Sequence, residues 1–201
     1  MSTEPILKFG VPKGSLEEAT QDLFARAGWK ISRHERNYFP DVNDPELQLS
    51  LTRVQEIGGL VADGILDAGI AARDWIREMD LEDKLVKVCD LVYAKTSLRP
   101  SRWVLAVAGD SPYRKPEDLA GKRIATEVQN LTRRYFREKG IDVDVFYSWG
   151  ATEAKVVQGL ADGIIEVTET GTTIRAQGLR IIDEVMLSNP VLVANEKSYK
   201  D

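Results

Sequence analysis

The sequence is poor in the residues that build metal cages and covalent cross-links. Its 201 residues include one cysteine, Cys89, and one histidine, His34. A single cysteine excludes an internal disulfide and a cysteine-based metal cage, and with one histidine there is little room for zinc chemistry. His34 lies in the charged stretch SRHERN, outside any motif, so catalysis is not expected there. Cys89 alternates with apolar neighbours, which predicts a buried thiol.

Long apolar runs and blocks of like charge are also missing. No apolar run approaches the roughly 20 residues of a membrane-spanning helix. The segment MSTEPILKFG lacks a basic region followed by an apolar stretch, so it does not read as a secretory signal. The net charge of −5 is not offset by any basic tail, which argues against nucleic acid as a partner. The sequence therefore predicts a cytoplasmic globular protein that binds neither membrane nor nucleic acid.

Short apolar runs alternate with helical periods along the whole chain. Strands are predicted over residues 6–11, 47–52, 67–72, 85–93, 102–109, 122–127, 143–148, 163–168, 179–187 and 191–196. Ser15 with Glu18 reads as a capping box that begins the first helix. This alternation is typical of α/β proteins with parallel sheets. We expect two lobes with mainly parallel sheets and a double crossover, lobe I from residues 1–94 plus 181–201 and lobe II from residues 95–180.

The stretch EVTETGTTIRAQG, residues 166–178, is the most informative in the chain. A strand leads into Thr170-Gly171-Thr172-Thr173, where a glycine allows a close turn and small hydroxyl side chains surround it. Backbone N–H groups at such a turn, aided by a helix N-terminus, bind anions. The alternative is an ordinary turn in which Thr172 or Thr173 caps a helix. A single cap does not require so many hydroxyls, which favours an anion site.

Several motifs in order along the chain resemble the ATP phosphoribosyltransferase family. They are VPKGSLEEA (11–19), LTRVQEI (51–57), DGILDAGIAARDW (63–75), DSPYRKPEDLAGKRIATE (110–127), NLTRRYF (130–136) and LADGIIEVTETGTTIRAQGLRII (160–182). Together they cover almost the whole chain. The resemblance implies a periplasmic-binding-protein-like (type II) architecture. It also implies transfer of the phosphoribosyl group of phosphoribosyl pyrophosphate to N1 of ATP, with Mg²⁺ present, as the first step of histidine biosynthesis.

The resemblance also implies a set of site residues. Thr170–Thr173 would hold the 5-phosphate, Asp162 and Glu166 would face the ribose hydroxyls or Mg²⁺, and Lys13 and Arg53 would reach the leaving pyrophosphate. The expected catalytic residues are Lys13, Arg53, Asp162 and Glu166. The expected phosphoribosyl pyrophosphate contacts are Thr168, Glu169, Thr170, Gly171, Thr172 and Thr173. The expected ATP contacts are Ser15, Asp74, Asp90, Glu127, Asn130, Arg134 and Tyr135. A surface ion pair at Arg53 and a solvated helix face at Arg134 are the alternatives for those two arginines.

Three departures from the common pattern of the family stand out. Ser15 stands where many members have Arg, Ala71-Ala72 where many have Thr-Gly, and Glu166 where many have Asp. The first removes a cation, and the second puts in doubt a close backbone approach to ligand.

The family also has a long form with a C-terminal histidine-sensing domain and a short form that depends on a subunit resembling histidyl-tRNA synthetase. A natural short form, a truncated long form and an engineered or reconstructed sequence all fit a chain without that domain. A homodimer or higher homo-oligomer is expected.

A solute-binding protein is the rival interpretation. KPEDLAGKRIA (115–125) is similar to a segment of periplasmic binders, and in such a protein the threonine-rich turn would hold an anionic solute without chemistry. A transferase core that binds ligand but is inactive alone is a third interpretation. The order of the motifs favours the transferase.

Overall fold

The computed structural model describes residues 6–32, 37–93 and 100–201 of the chain. His34 lies outside these ranges. The strands are β1 (Leu7–Lys13), β2 (Ile31–Ser32), β3 (Asp41–Val42), β4 (Leu47–Arg53), β5 (Ala68–Ala72), β6 (Val86–Asp90), β7 (Ser101–Ala108), β8 (Arg123–Thr126), β9 (Asp144–Tyr147), β10 (Gly163–Thr168), β11 (Leu179–Ser188) and β12 (Pro190–Ala194). The helices are α1 (Glu17–Arg26), α2 (Val54–Ala62), α3 (Arg73–Glu78), α4 (Gln129–Glu138), α5 (Thr152–Val157), α6 (Thr172–Ala176) and α7 (Glu196–Lys200). Short 3₁₀ turns occupy Glu82–Lys84 and Pro116–Leu119. Among the described helices, none has both the length and the apolar content needed to cross a bilayer.

The chain divides into two compact α/β units. Unit 1 comprises residues 1–99 and 189–201, and unit 2 comprises residues 100–188. The second crossing thus falls after β11 and not near residue 180, where the sequence placed it. β11 belongs to unit 2 because it pairs antiparallel with β7 over nearly its whole length.

The sheet of unit 1 has the order β4-β1-β5-β12-β6. β4, β1, β5 and β6 run in one direction and β12 runs against them. One face packs on α1 through Phe24, and the other packs on α2 and α3 through Ile57 and Ile76. A Cβ added at Gly69 would lie 2.6 Å from Ile57 Cγ2, so this glycine lets α2 approach the sheet closely. That close packing fixes the start of α2 at the carboxyl end of β4.

The sheet of unit 2 has the order β11-β7-β10-β8-β9. Here β7 is the reversed strand, and the other strands run in one direction. Val104 and Ile164 on one face of the sheet join Val156 of α5 and Ile174 of α6 in a buried cluster. The predicted α/β class with mainly parallel sheets is confirmed in both units.

Two local predictions were wrong. Helix α1 begins at Glu17 with Leu16 at the N-cap position and no side-chain cap bond, so Ser15 does not form the predicted capping box. The Glu17 side chain instead accepts a hydrogen bond from the Gly14 N–H at 3.3 Å. Cys89 is exposed and not buried, because β6 is the last strand of its sheet.

Candidate active site

Parallel strands of unit 2 bring their carboxyl ends to one edge of the sheet. Thr126 of β8 pairs with Ile165 of β10 on one side and with Tyr147 of β9 on the other. The residues that follow these positions therefore emerge together, at what we call the unit 2 edge. They are Glu127 after β8, residues 148–151 after β9, and residues 166–173 from β10 onward. Ligands of open α/β sheets bind outside this kind of edge.

Hydrogen bonds within the threonine loop, Thr168–Thr173, fix the conformation of its turn. The Thr168 hydroxyl accepts a hydrogen bond from the Gly171 N–H at 2.8 Å, and the hydroxyls of Thr170 and Thr172 lie 2.8 Å apart. Gly171 has a φ of +74°, which favours glycine, and its burial contrasts with the exposed Thr172 and Thr173.

The cap interpretation does not account for this loop. Gly171 occupies the N-cap position of α6, and no side chain caps that helix. The five residues of α6 leave little helix dipole, so anion binding would depend on loop N–H groups and hydroxyls. Arg175 braces the loop by donating a hydrogen bond to the Thr170 carbonyl oxygen at 3.0 Å.

Glu166 on β10 is a half-buried carboxyl group beside other acidic residues. Burial, together with the charges of Glu153 and Glu127, raises its pKa to about 7, although the nearby Thr152 hydroxyl and the Val167 N–H act in the opposite direction. A carboxyl group with this pKa changes its charge near neutral pH. Perturbed groups of this kind cluster at functional sites.

Asp162 does not join this group, contrary to the sequence prediction. It precedes β10, at the opposite end of the strand from the threonine loop, roughly 20 Å away at 3.3 Å per residue. Its carboxylate accepts hydrogen bonds from the Tyr113 hydroxyl and the Arg123 N–H, both at 3.0 Å. These bonds tie β8 to β10, so its role is structural.

Of the expected ATP contacts in unit 2, three lie at or near the unit 2 edge and the fourth is buried. Glu127 and Asn130 lie at the unit 2 edge, between β8 and the first turn of α4, and Arg134 lies one turn further along the helix. Tyr135 is buried, and its hydroxyl donates a hydrogen bond to Asp183 of β11. Burial, and then Asp183, raise the pKa of Tyr135 above its usual value. Tyr135 therefore joins α4 to the sheet and is not placed to contact ATP.

The carboxyl ends of the parallel strands of unit 1 form a second edge, the unit 1 edge. Lys13 and Arg53 end β1 and β4 and are direct neighbours in the parallel register. The Lys13 amine lies 4.4 Å from the centre of the Tyr38 ring, a cation–π contact. Arg53 is exposed at the N-cap position of α2, and Ser15 is exposed in the turn after β1. Two neighbouring cations at this edge suit a phosphate-bearing ligand.

The acidic candidates of unit 1 are occupied by neighbouring groups of the chain. Asp90 forms ion pairs of 2.8 Å with Arg73 and with Lys87 and accepts a hydrogen bond from Asn189. The bonds from Lys87 and Asn189 lower its pKa. Asp90 therefore holds Arg73 in place, and its side chain stays exposed at the carboxyl end of β6. Asp74 is buried and accepts a hydrogen bond from its neighbouring N–H at 2.9 Å.

The alanine pair does not strain the backbone. Ala71 is buried in the core of unit 1, and Ala72 precedes α3 with φ −106° and ψ 135°, which any residue adopts. Glycine is therefore not needed here for conformation.

Sequence reasoning missed two residues near the unit 2 edge. Arg102 lies beside Thr168 on β7 and forms a 3.5 Å ion pair with Glu184. No sequence signal marked it, because the reversed direction of β7 does not follow from its apolar pattern. Glu153 could have been found, since SWGATE directly follows a predicted strand.

In residues 6–32, 37–93 and 100–201, no group of three or more His, Cys, Asp or Glu side chains is placed to hold a metal ion. The chain therefore offers no ready metal cage of its own within the described ranges.

Comparison with known proteins identifies a consistent set of relatives. The family model described as HisG, ATP phosphoribosyltransferase, matches residues 53–201. An ATP phosphoribosyltransferase of Nitratidesulfovibrio vulgaris (strain Hildenborough) is 64% identical over 201 residues, which are all of this chain and 68% of that protein. One of Geotalea daltonii is 60% identical over 98% of this chain and 67% of its own length. The chain thus spans about two thirds of these relatives.

Solved structures agree with this set. The ATP phosphoribosyl transferase (HisG:HisZ) complex from Thermotoga maritima aligns with a TM-score of 0.81 and 28% identity, over 97% of this chain and 90% of that one. The periplasmic aliphatic sulphonate binding protein SsuA from Escherichia coli aligns with a TM-score of 0.61 and 20% identity, over 98% and 67%. These likenesses confirm the periplasmic-binding-protein-like (type II) fold, and the second shows the fold alone.

Proposed function

Because this chain belongs to the ATP phosphoribosyltransferase family, we propose specific roles for the residues at its two sheet edges. The enzyme transfers the phosphoribosyl group of phosphoribosyl pyrophosphate to N1 of ATP and releases pyrophosphate, the first step of histidine biosynthesis. The solute-binding interpretation is not favoured, since relatives at 56–64% identity carry the transferase name.

The reaction depends on the positioning of the substrates and on electrostatic stabilisation more than on proton transfer. The lone pair of adenine N1 forms the new bond to ribose C1 as the bond from C1 to the pyrophosphate oxygen breaks. N1 carries no proton, so the step needs no general base. The ribose becomes cation-like at C1 while negative charge collects on the leaving pyrophosphate. The protein must therefore hold both substrates in line and stabilise these two charges.

The threonine loop is the observation that carries the proposed roles. We assign it the 5-phosphate of phosphoribosyl pyrophosphate, held by the hydroxyls of Thr170, Thr172 and Thr173 and by loop N–H groups. Thr170, Thr172 and Thr173 are exposed around Gly171, at the end of a strand that pairs in parallel with β8. Thr168 fixes the turn, and Glu169 adjoins it. Hydroxyl and N–H donors are suited to phosphate oxygens.

Glu166 is assigned to the ribose. Its carboxylate would accept hydrogen bonds from ribose hydroxyls and stabilise the positive charge at C1. Both functions require the ionised form, so its pKa of about 7 makes the reaction sensitive to pH near neutrality. Glu127 and Asn130, on the neighbouring strand end, are assigned to ATP, with Arg134 one helical turn away.

Lys13 and Arg53 are assigned to the leaving pyrophosphate. Their direct register places a point charge beside a planar guanidinium, a pair that suits the several oxygens of a pyrophosphate. Ser15 is exposed two residues beyond Lys13 and is assigned to ATP.

Mg²⁺ is proposed to arrive bound to the substrate pyrophosphate. This ion prefers phosphate oxygens and water with few protein ligands. That preference fits a described chain without a metal cage of its own.

A regulatory subunit, a homo-oligomeric state and a cytoplasmic location are proposed for the whole protein. The subunit is supported by the relative from Thermotoga maritima, which was solved as a HisG:HisZ complex.

A coupled assay across pH tests the proposal. With ATP, phosphoribosyl pyrophosphate, Mg²⁺ and pyrophosphatase, we expect phosphoribosyl-ATP to form, measured by its ultraviolet absorbance. We expect kcat/KM for phosphoribosyl pyrophosphate to rise as the pH increases through about 7, because the ionised Glu166 is the active form. Glu166→Gln should have low activity without this rise.

Glu138→Gln, at an exposed position near the end of α4, is the matched control and should behave like the wild type. A wild-type profile that is flat between pH 6 and 8 would remove Glu166 from this role. A protein that neither forms product nor binds phosphoribosyl pyrophosphate would return the chain to the solute-binding interpretation.

A further inference from the structure

Trp149 is exposed to solvent at a constrained turn. Its side chain is 92% exposed, whereas the preceding residue, Ser148, is fully buried. The turn continues through Gly150 at φ +106° and Ala151 at φ +47°, a conformation that is costly for a residue with a Cβ. Packing among the described residues does not explain a large apolar ring at this level of exposure.

A buried hydrogen bond and a ring contact also fix the conformation of this turn. The Thr152 hydroxyl donates a hydrogen bond to the Ser148 hydroxyl at 3.1 Å, and both residues are buried. The Tyr147 ring meets the indole edge-on, with ring centres 4.7 Å apart and an interplanar angle of 69°. These contacts orient the indole, and its high exposure shows that solvent still reaches most of it.

Trp149 lies at the unit 2 edge, close to the threonine loop. It follows β9, which is separated from β10 by β8 alone, so the lateral distance between the two strands is about 10 Å. A purine whose N1 attacks C1 of a ribose anchored by its 5-phosphate must lie beside the loop at a comparable distance. Glu153, in the first turn of α5 after Trp149, lies near enough to Glu166 for its charge to raise the pKa of that carboxyl group.

We infer that Trp149 is the stacking platform for the adenine of ATP. This inference rests on the proposed placement of the 5-phosphate in the threonine loop. Bond formation at N1 makes the adenine ring positively charged, and the face of an indole attracts a cation. Stacking on Trp149 therefore strengthens as the reaction proceeds, so it aids the chemical step as well as ATP binding.

Substitution at position 149 tests the inference. We expect Trp149→Leu to lower kcat/KM for ATP about tenfold to a hundredfold, within the range of base–aromatic stacking, and to lower kcat as well. Trp149→Phe should restore part of this loss. The dissociation constant for phosphoribosyl pyrophosphate should stay unchanged in both variants. Tyr199→Leu removes another exposed aromatic ring, in α7, and is the matched control.

Tryptophan fluorescence gives a second readout that does not depend on the Leu variant folding. ATP added with phosphoribosyl pyrophosphate should quench the wild-type emission, and Trp149→Phe should lose this component. Wild-type kinetics for ATP in Trp149→Leu would overturn the inference while leaving the transferase function intact. So would emission that responds to protein concentration and not to ATP, because the indole would then contact another copy of the chain. Failure to bind phosphoribosyl pyrophosphate in the wild type would instead overturn the proposed placement in the loop.

Discussion

The double variant Thr172→Val, Thr173→Val should bind phosphoribosyl pyrophosphate about 100-fold to 10,000-fold more weakly than the wild type. Each substitution removes a hydroxyl donor to a charged phosphate while nearly preserving side-chain volume. Hydrogen bonds to charged groups are worth about 1.5–3 kcal/mol each, so two lost bonds give this range. Both threonines are exposed, so the fold should tolerate the change. Calorimetric titration of each protein with phosphoribosyl pyrophosphate and Mg²⁺ measures the effect.

The controls for this variant are a second substitution and a stability measurement. Gln177→Ala changes an exposed residue at the other end of α6 and should retain wild-type affinity. The midpoint of urea unfolding should be nearly the same in all three proteins. Unchanged affinity in the double variant would show that the threonines only shape a turn.

Lys13→Met should lower kcat about 100-fold to 1,000-fold. The substitution keeps the apolar stem of the side chain and removes the cation assigned to the leaving pyrophosphate. Losing one preorganised group at a site where charge develops costs about this factor. The KM for ATP should change much less, because the charge appears only as the bond to C1 breaks. Steady-state kinetics with the coupled assay separate kcat from KM.

Lys8→Met is the matched control for this prediction. Lys8 is exposed on the same strand, β1, at the end away from the unit 1 edge. Its substitution should leave kcat unchanged. Equal losses in the two variants would mean that net charge, and not the position of Lys13, decides the rate.

Much of the fold followed from apolar periodicity and turn residues. Strand β10 and the threonine loop were predictable because a buried run ends directly at Thr170-Gly171-Thr172-Thr173. The apolar pattern of a strand does not show which strands it pairs with, however. For that reason β11 was assigned to the wrong lobe. Cys89 was predicted to be buried because VKVCDLV alternates, but the alternation does not reveal that β6 ends its sheet.

The candidate site was predictable where a residue follows a parallel strand. Lys13, Arg53, Glu127 and Glu166 lie at or beside the carboxyl ends of such strands, as expected. Asp162 was misplaced because proximity in sequence to Glu166 hides the length of the strand between them. Tyr135 was misjudged because its partner, Asp183, depends on tertiary packing.

The exposure of Trp149 also could not be predicted from the sequence. Its sequence neighbours, SWGATE, place it after a strand, but only the structure shows the indole 92% exposed beside a fully buried serine. The positive φ angles at Gly150 and Ala151, in the turn that follows, are not specified by sequence patterns either.

A crystal structure of the protein with phosphoribosyl pyrophosphate and Mg²⁺ tests the proposed roles most directly. We expect the 5-phosphate to lie within about 3 Å of the Thr172 and Thr173 hydroxyls and nearby loop N–H groups. We also expect the pyrophosphate to contact Lys13 and Arg53. A 5-phosphate bound at Lys13 and Arg53, with the threonine loop empty or holding the pyrophosphate, would contradict the proposed roles.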